Sequence, residues 1–388
     1  MSSRVFQAPR GTNDILPADQ TYRHFFRTIA DRIASQFGYD RIDTPTFEDA
    51  GLFLKGVGQD TDISEKETYT FEDRGSDLLT LRPEGTAPVC RAYLQHGMYN
   101  QPQPIRLYYI GDFFRYDRPQ SGRYRQFSQF GIELIGELDA SADLEIIQMA
   151  QSLLKSVGIS DASILINSIG DLACRSTYID ELRSYYNSHE SELIHEDCKR
   201  RLVTNPLRLL DCKKDTCQHL ITGAPNSIEY LCTLCLEHWH ALLDKLGMLG
   251  IQHQVDKRLV RGLDYYSRTV FEIVPSQGGQ QNTLVAGGRY DGLMELLGGP
   301  STPGVGFAMG IERVLSTIQN NGTEIPKDNQ HKIVVAHIGE ASISSGITLA
   351  SELRENGISI LTAPARRGLK SQLRYASSVK ASHAIIIG

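Results

Sequence analysis

Between Gly111 and Glu133 the chain reads GDFFRYDRPQSGRYRQFSQFGIE. Arg106, Arg115, Arg118, Arg123 and Arg125 lie in or beside this stretch. Guanidinium groups match phosphate oxygens bidentately, so the segment points to phosphate or nucleotide chemistry. Side chains alternate along a strand, which places Phe127, Gln129, Gly131 and Glu133 on one face. Gly131 removes bulk between Gln129 and Glu133, so a gap for a small polar or cationic ligand is expected there. The plain alternative is an exposed hairpin laced with salt bridges.

A second group of reactive residues is sulfur. Cys212-x4-Cys217 and Cys232-x2-Cys235 fall within 24 residues of each other. Four thiolates suit tetrahedral zinc, which makes these four a candidate structural site. Cys198 is near enough to substitute as a ligand, and the other reading buries the thiols singly as small apolar groups. Cys90 and Cys174 read as structural.

Two nucleotide motifs are missing. There is no GxxxxGK[ST], and Gly304-x-Gly306-x-x-x-Gly310 has the wrong spacing for a dinucleotide fingerprint. A nucleotide must be held in another way. RNP, KH and zinc-finger patterns are likewise missing, which leaves no support for a general RNA-binding module.

The elements that must position these residues follow from periodicity. The chain has 388 residues, 40% hydrophobic and 22% charged, with net charge −6. That is the profile of a soluble protein of two or three domains. Nucleic acid would have to meet local basic patches, because the surface is not basic overall. No apolar run reaches the roughly 20 residues of a membrane span, and the first residues lack a signal-peptide core. Seven cysteines, an odd number, argue against a full disulfide framework and for a reducing cytoplasm.

Residues 18–37 carry apolar residues at helical steps, and residues 39–45 then read as a strand. Residues 105–116 and 124–135 form the arginine hairpin. Residues 141–157 read as an amphipathic helix and 164–168 as a short strand. From about 171 to 250 the chain is helix-rich and reads as an inserted helical domain. Strands return at 255–260, 269–274 and 305–309, and 320–330 is a linker candidate. Strands at 332–337, 358–362 and 383–387, separated by helices at 342–356 and 369–380, predict a small parallel sheet.

The hairpin resembles motif 2 of class II aminoacyl-tRNA synthetases. Phe37-Gly38-Tyr39 with Pro45 resembles their motif 1, and Gly304 to Arg313 (GVGFAMGIER) their motif 3. Two further segments, Leu259 to Glu272 (LVRGLDYYSRTVFE) and Ala286 to Leu293 (AGGRYDGL), resemble the signature motifs of histidyl-tRNA synthetases. With TLRPEGT at Thr80 to Thr86 and APRGTNDILP at Ala8 to Pro17, the resemblance spans nearly the whole chain.

The resemblance implies an α+β fold. An antiparallel catalytic sheet flanked by helices would be made of residues 1–170 and 251–322. A helical insertion at 171–250 and an α/β anticodon-binding domain at 331–388 would complete it. It implies activation of histidine with ATP, release of pyrophosphate, and transfer of histidine to tRNA, by a cytoplasmic homodimer paired through motif 1. Arg115 would hold the α-phosphate and Arg313 the γ-phosphate of ATP, with Arg123, Phe127 and Gln129 also on the nucleotide. Motif 3 glycines would let adenine lie close to backbone. Glu84, Thr86 and Gln129 would bind the α-amino group of histidine beside Gly85. Glu133 and Tyr266 would address the two imidazole nitrogens, with Tyr265 and Tyr290 lining the pocket. Arg261 would supply a fixed cation at the carboxylate and α-phosphate, and magnesium would bridge the outer phosphates. The loop from Arg118 to Arg123 would approach the tRNA acceptor end.

A rival from another class is a catalytically silent paralogue, the regulatory subunit of ATP phosphoribosyltransferase. It typically has an eroded counterpart of Arg261 to Tyr266, which is intact here. Arg366, Arg367, Lys370, Arg374 and Lys380 form a basic patch that would meet tRNA phosphates. The last strand ends at Gly388, where a parallel α/β domain is expected to continue, so truncation there is an expectation of the sequence.

Overall fold

The computed structural model describes residues 6–57, 67–117, 122–276, 283–326 and 332–388. Arg118 and residues 327–330 of the predicted linker lie outside them. The chain divides into two compact units, Met1–Glu324 and Ile325–Gly388.

The first unit opens with α1 (Pro17–Gln36), whose proline at the first helical position costs no hydrogen bond. Its apolar stripe buries Phe26, Ile29, Ala30 and Ile33. Then come β1 (Asp40–Arg41), β2 (Phe47–Asp49), α2 (Ala50–Val57), β3 (Tyr69–Glu72), β4 (Leu78–Leu81) and α3 (Thr86–Gln95). The arginine hairpin is β5 (Ile105–Phe114) and β6 (Gln126–Ile135), followed by α4 (Ala140–Ser156) and β7 (Ala162–Ser168). The helical segment comprises α5 (Leu172–Ser188), α6 (Glu196–Thr204), α7 (Gln218–Gly223) and α8 (Thr233–Met248). The chain returns through β8 (Gln254–Val255), β9 (Ser267–Pro275), β10 (Val285–Arg289), α9 (Leu293–Leu296), β11 (Gly304–Gly310) and α10 (Ile311–Asn320).

Among the described residues the central sheet has eight strands, in the order β1-β5-β6-β11-β10-β9-β7-β8. Its pairs are antiparallel except β1 with β5 and β7 with β8. A small antiparallel sheet, β2-β4-β3, lies in the same unit. Helix α4 is capped by Asp139, which accepts from Ser141 N, and buries Ile146, Ile147, Ala150, Leu153 and Leu154. This is the α+β architecture expected.

Two expectations need correction. The strand expected over 39–45 pairs over two residues only, and so does the one expected over 255–260. The paired residues are Asp40 and Arg41 against Leu107 and Tyr108, and Gln254 and Val255 against Leu165 and Ile166. Gly287 and Gly288 lie inside β10, paired to β9 on one side and β11 on the other.

The second unit contains β12 (Ile333–His337), α11 (Ala341–Glu355), β13 (Ile360–Thr362), α12 (Leu369–Ser378) and β14 (His383–Ile387). The strands are parallel in the order β13-β12-β14. This is the βαβαβ unit the alternation predicted. Arg366, Arg367, Lys370, Arg374 and Lys380 are all exposed on it.

Candidate active site

A cavity of about 810 Å³ opens in the first unit, within the usual size of a ligand site. Arg115, Arg123, Phe127, Gln129, Glu84, Gly85, Thr86, Arg261, Tyr265, Tyr266 and Arg313 all line it. Motif positions up to 229 residues apart, Glu84 to Arg313, are therefore brought to one place.

The arginines divide. Arg115 follows β5, donates Nε–H to Pro83 O (2.9 Å) and lies 5.4 Å from the Phe127 ring centroid. Arg313 begins α10 and donates to Gly122 O and Thr283 O, both at 3.1 Å. Burial lowers the affinity of Arg313 for its proton, and the neighbouring Arg123 and Arg115 lower it further. Arg123 itself pairs with Asp117 (3.1 Å), and three guanidinium groups on one cavity suit an anionic ligand. The other hairpin arginines are used elsewhere. Arg106 forms a two-pronged pair with Glu145 (2.9 and 3.0 Å), and Arg125 stacks on Tyr116 at 3.9 Å. The arginine-rich stretch is therefore only partly a phosphate grip. For Arg106 strand parity could have told this, since it and Arg115 fall on opposite faces of the strand expected over 105–116.

Glu84 ends the loop before α3 and accepts from Thr86 N (2.7 Å) and Ala87 N (2.9 Å). Its carboxyl titrates above the usual range because it is buried. Gln129 Oε1 is buried and finds no hydrogen-bond partner among the described residues. An unsatisfied buried acceptor in a cavity suits a cationic or N–H-bearing ligand.

Glu133 and Tyr290 sit one layer behind the cavity wall. Thr86 Oγ1 donates to Glu133 Oε1 (2.7 Å) and the Tyr290 hydroxyl to Oε2 (2.6 Å). Burial pushes the Glu133 carboxyl from 4.5 up to about 8, against the pull of these two hydrogen bonds. The gap expected at Gly131 is not left for a ligand. Tyr109 is its cross-strand partner, and a Cβ on Gly131 or on Gly85 would overlap the Tyr109 ring. Tyr109 lines the cavity and was missed, although a tyrosine opposite a glycine in a hairpin is a readable signal. Motif 3 shows the same pattern: Gly304 makes room for Tyr290 and Gly306 for Glu133, rather than for a ring in the cavity.

A folded Glu133 carboxyl that titrates near 8 holds a proton the unfolded chain would already have released. Folded-state stability therefore falls as pH rises from about 5 through 8. In Glu133→Gln this fall is expected to be smaller by about 1–3 kcal/mol. Chemical denaturation at pH 5 and 8 measures it, and equal pH dependence in both proteins would refute the raised pKa.

Arg261 lies in the irregular loop 259–266. It pairs with Glu272 of β9 through Nη1, and its guanidinium is 5.8 Å from the Tyr266 ring centroid. Its Nε is buried without a partner among the described residues. Burial alone would lower its proton affinity, but Glu272 outweighs that and holds the charge. The helical segment clamps this loop. Asn205 Nδ2 donates to Asp264 Oδ1 (2.7 Å), and Arg175 donates to the carbonyls of Asp264 and Tyr266. Tyr265 donates to Glu84 Oε2 at 3.5 Å and packs on Tyr266, ring centroids 4.8 Å apart. Arg208 and Lys213 of the helical segment also line the cavity, and neither was expected.

The cysteines separate. Cys212 and Cys217 gather with Cys198, whereas Cys232 and Cys235 gather with Cys174 and Asp171. The four-cysteine site on Cys212, Cys217, Cys232 and Cys235 is thus not formed, because the last two begin a different helix, α8.

The comparisons agree with this geometry. The family model described as histidyl-tRNA synthetase matches residues 11–314. A histidine–tRNA ligase of Dehalococcoides mccartyi is 54% identical over 384 residues, 99% of this chain and 92% of that protein. One from Caldanaerobacter subterraneus is 45% identical over 382 residues, 98% and 91% respectively. The apo histidyl-tRNA synthetase of S. aureus has a similar structure, with TM-score 0.82 and 36% identity over 99% of this chain and 92% of that one. A Bacillus halodurans protein described as ATP phosphoribosyltransferase regulatory subunit/histidyl-tRNA synthetase shares the fold at 23% identity and TM-score 0.70, covering 99% of both chains. The sequence motifs, the cavity that unites them and these likenesses place the chain in the histidyl-tRNA synthetase family.

Proposed function

We propose that the chain is a histidine–tRNA ligase. It joins the carboxylate of histidine to the α-phosphate of ATP, releases pyrophosphate, and passes the histidyl group to the 3′ end of tRNA(His). The observation that carries this is the convergence of Arg115, Arg123 and Arg313 in the same cavity as Glu84, Gln129 and Arg261. Charge that builds on the α-phosphate needs preorganised cations, and the α-ammonium of histidine needs buried acceptors.

In this reading Arg115 meets the α-phosphate and Arg313 the γ-phosphate, with Arg123 and Phe127 on the nucleotide. Glu84, Gln129 and the Thr86 hydroxyl receive the α-ammonium beside Gly85. Arg261 holds the histidine carboxylate against the α-phosphate as attack proceeds. Tyr266 takes one imidazole nitrogen. Glu133 takes the other once Thr86 or Tyr290 yields a carboxylate oxygen, and Tyr265 and Tyr290 close the pocket around the ring. A ring with one donor and one acceptor nitrogen is selected by two such partners. Magnesium carried on ATP would supply charge neutralisation at its outer phosphates. Glu272, the β9 carboxylate in the cavity, has its oxygens engaged by Arg261 and by Thr283 Oγ1 (2.9 Å), which fits a metal carried chiefly by the nucleotide.

Residues 1–170 and 251–322 are read as the catalytic domain, 171–250 as a helical insertion and 331–388 as the anticodon-binding domain. The exposed basic residues of the last unit support tRNA contact. Exposed Ile15, Leu16, Phe47 and Leu54 near motif 1 support a homodimer through that region. Among the described residues no helix is long and apolar enough to cross a membrane. All seven cysteines are free, which supports a reducing cytoplasm. The regulatory-subunit reading is disfavoured by the intact Arg261–Glu272 pair and by the high identity to ligases.

Histidine-dependent exchange of labelled pyrophosphate into ATP tests the activity. Exchange that requires histidine is expected. Well-folded protein that catalyses none would sink the ligase reading in favour of the silent paralogue.

A further inference from the structure

The helical segment gathers its thiols into two groups of metal-ligating chemistry. We propose that it carries two structural zinc sites, one on Asp171, Cys174, Cys232 and Cys235, the other on Cys198, Cys212 and Cys217.

The first site is a closed set of four donors. Asp171-x2-Cys174 stands at the start of α5 and Cys232-x2-Cys235 at the start of α8, with Asp171 and Cys232 as the N-caps. The two-residue spacing lets both members of a pair face one ion, and helix N-termini favour the anionic ligand forms. The four ligand atoms all lie within 4.8 Å of one another. Asp171 divides its carboxylate. Oδ1 accepts from Ala173 N (3.0 Å) and Cys174 N (3.3 Å), and also lies 3.4 Å from Cys174 Sγ. Oδ2 faces Cys232 Sγ at 4.0 Å, with Arg268 Nη2 at 3.7 Å beyond it. One oxygen holds the helix cap while the other is available to an ion, and Arg268 offsets the excess negative charge of the ligand set. Helices α5 and α8 are the first and last of the segment, so this ion ties its two ends together.

The second site rests on sulfur spacing. Zinc–thiolate bonds of about 2.3 Å at tetrahedral angles place ligand sulfurs about 3.8 Å apart. Cys198 Sγ lies 3.6 Å from Cys212 Sγ and 3.9 Å from Cys217 Sγ. All three are buried. A disulfide would use two of them and strand the third. The three thiols leave one tetrahedral position to a further donor, and His195, three positions before Cys198, stands outside their cluster. Its Nε2 contacts Thr216 Oγ1 (2.9 Å), the residue before Cys217. Thiolate-rich sets select zinc among the divalent ions. Cys198, Cys212 and Lys213 line the cavity, so this ion fixes the part of the insertion that overhangs the active site.

The experiment is metal analysis of the full chain, purified without a chelator and without a histidine tag. About two zinc ions per chain are expected, with about one lost in Cys232→Ser, one in Cys198→Ser and both in the double variant. Cobalt reconstitution should give the intense visible bands of tetrahedral thiolate ligation. A zinc content below about half an equivalent overturns both sites. A single zinc abolished by either variant overturns the two-site assignment in favour of one shared site. A variant that folds and keeps the full zinc content overturns the site it belongs to. If a serine variant fails to fold, wild-type stoichiometry with the cobalt spectrum decides: two tetrahedral equivalents sustain the proposal, and fewer overturn it.

Discussion

Arg261→Ala is expected to slow histidine activation by about 10²–10³-fold while the KM for histidine changes by less than about tenfold. The reason is where the charge sits and when it is needed. Arg261 is buried, kept charged by Glu272, and leaves Nε unsatisfied among the described residues. It is a cation held in place before substrate arrives. Such a group does little for the ground state of a zwitterionic amino acid, which the Glu84 and Gln129 acceptors already hold. It does most when negative charge grows between the attacking carboxylate and the α-phosphate. Arg261→Lys is expected to fall between the two, because an ammonium keeps the charge but cannot bridge Glu272 and substrate as a planar fork. Single-turnover pyrophosphate exchange separates the two parameters. A loss confined to KM would refute the transition-state role, and equal activity of the Lys and Ala variants would show that the charge is irrelevant.

The parts of this molecule that were legible in its sequence are those decided locally. The β5–β6 hairpin announces itself by alternation around a Pro- and Gly-containing loop, and the last unit by strict strand–helix exchange. The parts that were not legible are decided by distant partners. The extent of the strand read over 39–45 is an example: it is held to Asp40–Arg41, where Leu107 and Tyr108 lie beside it. Helix α3 carries a Pro88 inside its first turn, and the capping Glu84 lies outside the helix it stabilises. The site shows the same division. Motif residues identified the chemistry, but not which arginines were already committed: Arg106 meets Glu145 only when α4 packs against the sheet. Sequence spacing likewise joined Cys217 to Cys232, whereas helix N-termini draw Cys232 to Cys174 and Asp171.

Arg289→Met is expected to destabilise the catalytic unit by about 3–5 kcal/mol, the usual cost of leaving a buried charge without its partner. Arg289 and Asp143 have no exposed side-chain surface and pair at 2.6 Å. Arg289 also pairs with Asp291 (3.2 Å) and donates to the carbonyls of Glu137 and Asp139. Among the described residues the other basic side chain on Asp143 is His238, at 3.3 Å. Burial alone would raise the Asp143 carboxyl, but Arg289 and then His238 outweigh it and hold it below the usual range. In the wild type this pair therefore contributes stability above pH 3.8 that is lost only in stronger acid. Without Arg289 the sign reverses, since the buried carboxyl then prefers its proton. The deficit of Arg289→Met should be smaller at pH 5 than at pH 8, and adding Asp143→Asn should recover part of it at pH 8. Urea denaturation of the single and double variants at both pH values measures this. A deficit that does not vary with pH would mean that lost packing, not the stranded carboxylate, carries the cost. The site would feel the change as well, because Tyr290 follows Arg289 directly and its hydroxyl holds Glu133. A buried ion pair outside the cavity lining would thus orient the groups proposed to select the imidazole.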